Sequence, residues 1–286
     1  MPTISHERRL DPLTAAILQA VDEVARRQGV PYFVCGAMAR DMLIWHVHGI
    51  AVPRATRDVD LAFALPDWDA FRQLKSALTE NPDFVGTAEN PGRLRFSGTA
   101  NSPGYPVDLI PFGGIATANA RLAWPPDYAV IMNVVGYDDA LASASTVVVE
   151  PGLTVPVASL PMLAVLKILA WGDRRLHTVK DARDFAFLLT AYERTASARL
   201  YDDEIDTLAG VDYDIELAGP YLLGKDAAGA VNQATHSAVA KCLGEETARR
   251  SLITEIATSL TGRADPIGHA EVLLRRFEGG FSEYVG

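Results

Sequence analysis

Residues 54–61 read RATRDVDL, and the alternation in this stretch decides how the first half of the chain is read. Asp58 and Asp60 stand two apart within residues 56–65, which predict a strand. Side chains on a strand alternate between faces, so both carboxylates share one face while Val59 and Leu61 enter a core on the other. Arg57 points away from the carboxylates by the same alternation. Two like charges held that close repel and need a compensating cation. A divalent metal supplies one: Mg²⁺ takes a few carboxylates together with waters and phosphate oxygens, and Mn²⁺ accepts the same oxygen donors.

A third carboxylate lies downstream in YPVDLIPF (105–112), where Asp108 stands between the apolar Val107 and Leu109. If strands 57–62 and 106–111 are neighbours, Asp58, Asp60 and Asp108 form a cluster able to hold two metals about 3.5–4 Å apart. Upstream, CGAMARD (35–41) sets Gly36 between a strand at 31–35 and a helix at 37–47. Such a turn offers amide N–H groups and the positive end of a helix dipole to a phosphate. Ala37 is small enough to let a ligand reach the backbone. Arg40 reads either as a nucleotide contact or as the partner of Asp41 in a salt bridge on the helix surface. A D-x-D on a strand, taken alone, reads as a solvated edge; the Gly36 turn before it points instead to a nucleoside triphosphate.

Further outward, 286 residues with 49% hydrophobic and 22% charged side chains describe a globular chain and exclude an acidic disordered one. The net charge of −10 is shared equally, −5 for residues 1–157 and −5 for residues 158–286, so neither half is a basic, duplex-DNA-coating module. Two cysteines, Cys35 and Cys242, are too few for a disulfide framework and fit a reducing compartment. With no signal-peptide pattern and no apolar run of ~20 residues, a cytoplasmic protein with no membrane partner is expected. Residues 11–28 predict a helix closed by Gly29, residues 67–78 another, and 84–88, 93–98, 144–150 and 153–158 strands, with ENPG (89–92) as a turn. Beyond residue 158 the pattern is helical, at 159–172, 179–193, 201–209, 226–243, 246–261 and 266–278. The expected organisation is α+β: a mixed-sheet domain over 1–158 and an all-helical domain over 159–286.

Within that second domain, Lys167 falls on the stripe of Leu160, Leu163, Ala164 and Trp171. A lysine there either snorkels to solvent or meets a partner. In HTVKDARDF (177–185), Asp181 and Asp184 lie three apart on one helix face, with Lys180 and Arg183 beside them. Asp181 can orient Lys167 or Arg175; Arg174 and Arg175 read as contacts for a phosphate or an RNA backbone, or as solvated arginines. Arg93 and Arg95 share one strand face, either toward a substrate or toward solvent. His46 and His48 lack the companions of a metal site.

Gly36 through Asp60 resembles the nucleotidyltransferase superfamily of the polymerase-beta type, whose motif is G-[GS] followed by D-x-D. CGAMARDML is similar to the opening of tRNA CCA-adding enzymes, while RxTxDxDL, Lys167 and KDARDF resemble the AbiEii/AbiGii-type toxins of type IV toxin–antitoxin systems over about residues 30–192. The resemblance implies a polymerase-beta-like fold and metal-dependent transfer of a nucleoside monophosphate from an NTP. It assigns metal ligation to Asp58, Asp60 and Asp108, the triphosphate to Gly36, Ala37, Arg40, Lys167 and Arg175, and an orienting role to Asp181. It also implies a tRNA acceptor end or another RNA as acceptor and a cognate antitoxin as partner. The departure is Ala37, where the family carries Gly or Ser. An aminoglycoside-like small-molecule acceptor, and a catalytically silent nucleotide-binding or partner-binding module, are the competing readings.

Overall fold

The computed structural model describes residues 1–53, 56–87, 90–98 and 104–284. Arg54 and Ala55 of the opening stretch, Ala88 at the end of an expected strand and Glu89 of the expected turn lie outside the described residues. The chain forms two compact units, Met1–Ser159 and Leu160–Gly286.

In the first unit, helix α1 (Pro12–Gln28) starts where the Asp11 carboxylate accepts from the amides of Leu13 and Thr14, both at 3.1 Å. It ends on Gly29, whose φ of 66° an L-residue adopts only with strain. Strand β1 (Tyr32–Cys35) is buried throughout. Helix α2 (Gly36–Asp41) follows at once and runs on as a π-helical turn, Met42–Val47. The sequence predicts one uniform helix there. The N-terminal segment caps carbonyls of the last turn. Arg8 Nε donates to the Trp45 carbonyl at 2.9 Å, and the Ser5 amide donates to the His46 carbonyl at 3.0 Å.

Strand β2 (Val59–Ala64) is shorter than the expected 56–65. The Asp58 amide donates to the Thr56 hydroxyl at 3.1 Å, a local turn that competes with the ladder, so Asp58 precedes the strand and is exposed. Helix α3 (Trp68–Thr79), capped by Asp67, leads to strands β3 (Phe84–Gly86), β4 (Arg93–Phe96) and β5 (Tyr105–Phe112). A small hairpin of β6 (Arg121–Ala123) and β7 (Ile131–Asn133) and helix α4 (Tyr137–Ala142) precede the closing strands β8 (Ser145–Glu150) and β9 (Leu153–Val157).

Among the described residues, seven strands form one mixed sheet in the order β3-β4-β5-β2-β1-β9-β8. Neighbours are antiparallel except β5 with β2 and β1 with β9, which are parallel. Register divides the two faces. Val34, Leu61 and Leu109 share one face, where Tyr32 also donates its hydroxyl to Asp22 of α1 at 3.1 Å. Cys35, Phe33, Asp60, Ala62 and Asp108 share the other. On that second face Phe33, Phe112 and Tyr137 of α4 pack as three rings with centroids 5.7–6.0 Å apart.

The second unit is helical: α5 (Leu160–Arg174), α6 (Lys180–Thr195), α7 (Ser197–Leu200), α8 (Ile205–Ala209), α9 (Ile215–Ala230), α10 (Gln233–Gly244), α11 (Glu246–Ala257) and α12 (Pro266–Phe281). The expected helix at 226–243 is in fact the end of α9 plus α10, parted where Asn232 caps the Thr235 amide at 3.0 Å. The first eleven residues of α9 are absent from the sequence reading; they include Gly219-Pro220, residue types that disfavour a helix interior. Packing overrides that preference: a Cβ on Gly224 would lie 2.1 Å from the Phe277 carbonyl oxygen, and one on Gly280 would lie 2.0 Å from that of Tyr221. These glycines let α9 and α12 touch backbone to backbone.

Phe33 is fully buried at the centre of its ring cluster. Phe33→Ala is expected to cost about 3–5 kcal/mol, measured as a fall in the urea midpoint of the first unit by circular dichroism.

Candidate functional site

Four adjacent strands carry one row of side chains across the sheet. Cys35 on β1 pairs with Asp60 on β2, Asp60 with Asp108 on β5, and Asp108 with Arg93 on β4. Register partners point to the same face, so the row is thiol, carboxylate, carboxylate, guanidinium. Arg93 donates from Nε and an Nη to the two oxygens of Asp108, both at 2.6 Å. These hydrogen bonds raise the Arg93 pKa against its partial burial, with the charges of Asp108, Asp58 and Asp60 adding to them. The compensating cation required by the carboxylates is therefore built into β4. The sequence offered Arg93 only as a residue of one strand face; the β4–β5 register alone places it opposite Asp108.

At the end of β1 the row meets the turn into α2. Gly36 has φ +65°, and a Cβ there would lie 2.0 Å from Asp60 Oδ2. The Asp60 carboxylate thus rests against bare backbone, which only glycine provides. Ala37 follows, half-buried. Arg40 and Asp41 are both buried and ion-paired at 2.7 Å. The pair anticipated at the helix surface is an interior one. Burial raises the Asp41 pKa, opposed by Arg40 and by the Thr56 amide, which donates to Asp41 at 3.2 Å. Arg40 and Asp41 so tie the approach to β2 onto α2.

Among the described residues, no three His, Cys, Asp or Glu side chains group as a metal-binding cluster. The expected three-carboxylate cluster is not assembled in this arrangement. Asp58 stands before the ladder, and both oxygens of Asp108 are held by Arg93. The donor chemistry still suits a hard divalent ion, because Asp60 and Asp108 present carboxylates side by side on one face with Asp58 two residues away.

In the second unit, Lys167 meets partners rather than solvent. Its ammonium lies 3.1 Å from Asp181 and 2.5 Å from Asp184. Arg174 donates two further hydrogen bonds to Asp181, at 2.6 and 2.9 Å. Burial works to raise the Asp181 pKa, but the Arg174 hydrogen bonds and the Lys167 charge outweigh it and hold the carboxyl below its ordinary range. Burial likewise works to lower the Lys167 pKa, and Asp184 and Asp181 overcome it. The lysine expected to reach a triphosphate is already neutralised by two carboxylates. Arg175 does not join Asp181: it lies over the Trp171 ring, 5.5 Å from its centroid, and 3.5 Å from Glu245.

The sequence model of the family described as nucleotidyl transferase AbiEii toxin, type IV TA system, matches residues 24–250. No curated protein sequence matches the chain. Several solved structures resemble it, three of which follow. An antigenic nucleotidyltransferase-like protein from Paracoccidioides brasiliensis is 19% identical, with 73% of this chain and 94% of that one covered and a TM-score of 0.40. The antibiotic-resistance factor ANT(2'')-Ia is 12% identical, with 71% and 99% covered and a TM-score of 0.37. The Thermotoga maritima CCA-adding enzyme, solved with tRNA, is 13% identical, with 97% and 83% covered and a TM-score of 0.28.

Two outcomes follow from the geometry. Gly36→Ala must hold a left-handed φ and push against Asp60, so a loss of about 1–2 kcal/mol is expected from the backbone alone, read by chemical denaturation. Asp181→Asn leaves Lys167 and Arg174 without their shared anion. A loss of about 3 kcal/mol is expected, the low end for a buried pair because Arg174 is half exposed. Since the folded pKa of Asp181 is depressed, its stabilisation is present above the ordinary value of 3.8 and is lost as pH falls through the folded value. Melting temperatures of wild type and Asp181→Asn should therefore converge in acid; a gap constant with pH would contradict this assignment.

Proposed function

The chain belongs to the AbiEii nucleotidyltransferase toxin family of type IV toxin–antitoxin systems, and from that membership we propose that it transfers a nucleoside monophosphate from an NTP to a hydroxyl of tRNA or another RNA. The observation that carries the reading is the Asp60 carboxylate seated against Gly36, with Asp108 as its register partner. A phosphate-binding turn and an acidic pair so joined are what nucleotidyl transfer needs.

In this reading the amides at the start of α2, from Gly36 and Ala37, bind the β- and γ-phosphates. The missing side chain at Gly36 leaves room for the Asp60 carboxylate, which sits directly beside the turn. Arg40 and Asp41 hold α2 against the segment before β2 and so position Asp60. Asp58, Asp60 and Asp108 are the residues that would hold a divalent ion, Mg²⁺ or Mn²⁺. Bound there, it would make the acceptor hydroxyl a better nucleophile and offset charge on the leaving pyrophosphate. Asp108 assists deprotonation of the acceptor hydroxyl, either by taking the proton itself or through the ion it would help to hold. The acceptor oxygen attacks the α-phosphorus in line and pyrophosphate departs. The Lys167, Asp181 and Arg174 cluster gives the helical unit a fixed charge arrangement, and Asp181 orients Lys167. A cognate antitoxin is the partner that the toxin family leads us to assign.

The test incubates the full chain with Mg²⁺, each α-labelled NTP in turn and total tRNA, beside an Asp58→Ala/Asp60→Ala variant. Label on tRNA with wild type, at least about 10²-fold above the variant, is the expected result. Bound NTP without transfer to RNA would overturn the RNA acceptor and favour a small-molecule acceptor or a silent module.

A further inference from the structure

The proposal concerns the guanidinium that completes the row, and it rests on the nucleotidyltransferase reading of that row. Asp60 and Asp108 are side-by-side partners on parallel strands, and Asp58 is two residues from Asp60. Carboxylates so arranged need a cation close by for the protein to fold without metal. Arg93 supplies it: its fork closes on both oxygens of Asp108 at 2.6 Å, and it lies within the fields of Asp58 and Asp60. The position is not incidental to β4, since Arg93 is the direct register partner of Asp108. The pair is only partly covered, with side-chain exposure of 39% for Arg93 and 22% for Asp108, so ions from solvent can reach it.

A bidentate Arg–carboxylate pair uses the lone pairs that a metal would use. The guanidinium fork takes one lone pair on each Asp108 oxygen, so a divalent ion cannot chelate the two oxygens from that same side while the fork is closed. We propose that Arg93 is a resident counter-cation, a positioning residue that neutralises the carboxylate row and holds Asp108 in the metal-free protein, and that a divalent ion binds there by exchanging with it at Asp108. The row then stays compensated in both states. The exchange sets the metal affinity lower than the carboxylates alone would give, so occupancy depends on what arrives with the ion. The triphosphate oxygens of an incoming nucleotide are the ligands that tip it.

The experiment measures Mn²⁺ binding by electron paramagnetic resonance, without nucleotide, for the full-length wild type, Arg93→Gln and Asp60→Asn. Arg93→Gln is expected to bind Mn²⁺ about tenfold more tightly than wild type, the scale of one charge-assisted hydrogen-bonded contact. Its melting temperature is expected to fall in a chelator and recover with Mn²⁺, while that of wild type changes little. A merely structural arginine would lower stability without that recovery. Equal or weaker Mn²⁺ binding by Arg93→Gln, with binding abolished by Asp60→Asn, would overturn the exchange while leaving the metal site in place. No Mn²⁺ binding by any of the proteins would overturn the metal reading and the exchange together. Should Arg93→Gln fail to fold, Arg93→Lys, which keeps the charge but loses the fork, is expected to bind Mn²⁺ more tightly than wild type; unchanged affinity overturns the proposal.

Discussion

The pairing of β2 with β5 sets the position of every group in the row. It brings Asp60 beside Asp108, and each outer neighbour then adds one group, Cys35 from β1 and Arg93 from β4. What fixes this register is not the carboxylates, which repel, but the opposite face of the same strands. There Val59 meets Val107, Leu61 meets Leu109 and Phe63 meets Pro111, with the valines, leucines and Phe63 essentially without solvent exposure. A slip of one residue would turn Asp108 into that core and expose the leucines. Burying an unpaired carboxylate costs several kcal/mol, so the apolar pairs hold the polar ones in place. The like charges are in turn held together by a partner arginine rather than left to solvent.

Much of this was legible in alternation. RDVDL and PVDLIP each state which residues point inward, and CGAMARD states where a strand gives way to a helix. The neighbour relation of the two acidic strands had to be assumed, because parallel pairing is set by tertiary contacts and leaves no local mark. The role of Arg93 was out of reach for the same reason, since its meaning comes from the residue across the ladder. Asp58 was misplaced within the strand because the Thr56 hydroxyl draws its amide into a turn. The π-helical turn after α2 is capped by Arg8 and Ser5, more than thirty residues upstream, and no local pattern announces it. In the helical unit the start of α9 went unread, and it holds Gly219-Pro220, which disfavours a helix interior. The other glycines that allow that helix, Gly224 and Gly280, acquire their purpose only when α9 and α12 meet.

The lysine in the apolar stripe of α5 illustrates how a local anomaly is resolved. A charged group on a buried face is costly alone, and Asp181, without solvent exposure, would be equally costly. Set against each other and against Arg174, they satisfy one another. The acidic residues of KDARDF are spaced to present two carboxylates to one ammonium, which explains a three-residue interval on one helix face. The arrangement fixes α5 to α6 at one point of charge balance, so the polar groups define the relative placement of two helices that apolar packing alone would leave freer to slide.

The departure at Ala37 can be weighed on the same geometric terms. In the proposed reading, a serine at that place would add a hydroxyl toward a phosphate, and alanine removes it. The constraint that joins the turn to the acidic row falls one residue earlier. Gly36 alone has the left-handed φ, and Gly36 alone faces the Asp60 carboxylate where a Cβ would stand. Loss of a side-chain hydroxyl weakens one contact with a ligand, worth about 0.5–1.5 kcal/mol if neutral and more to a charged phosphate. Loss of the glycine would displace a carboxylate on which the row depends. The substitution that this chain carries is therefore the more tolerable of the two.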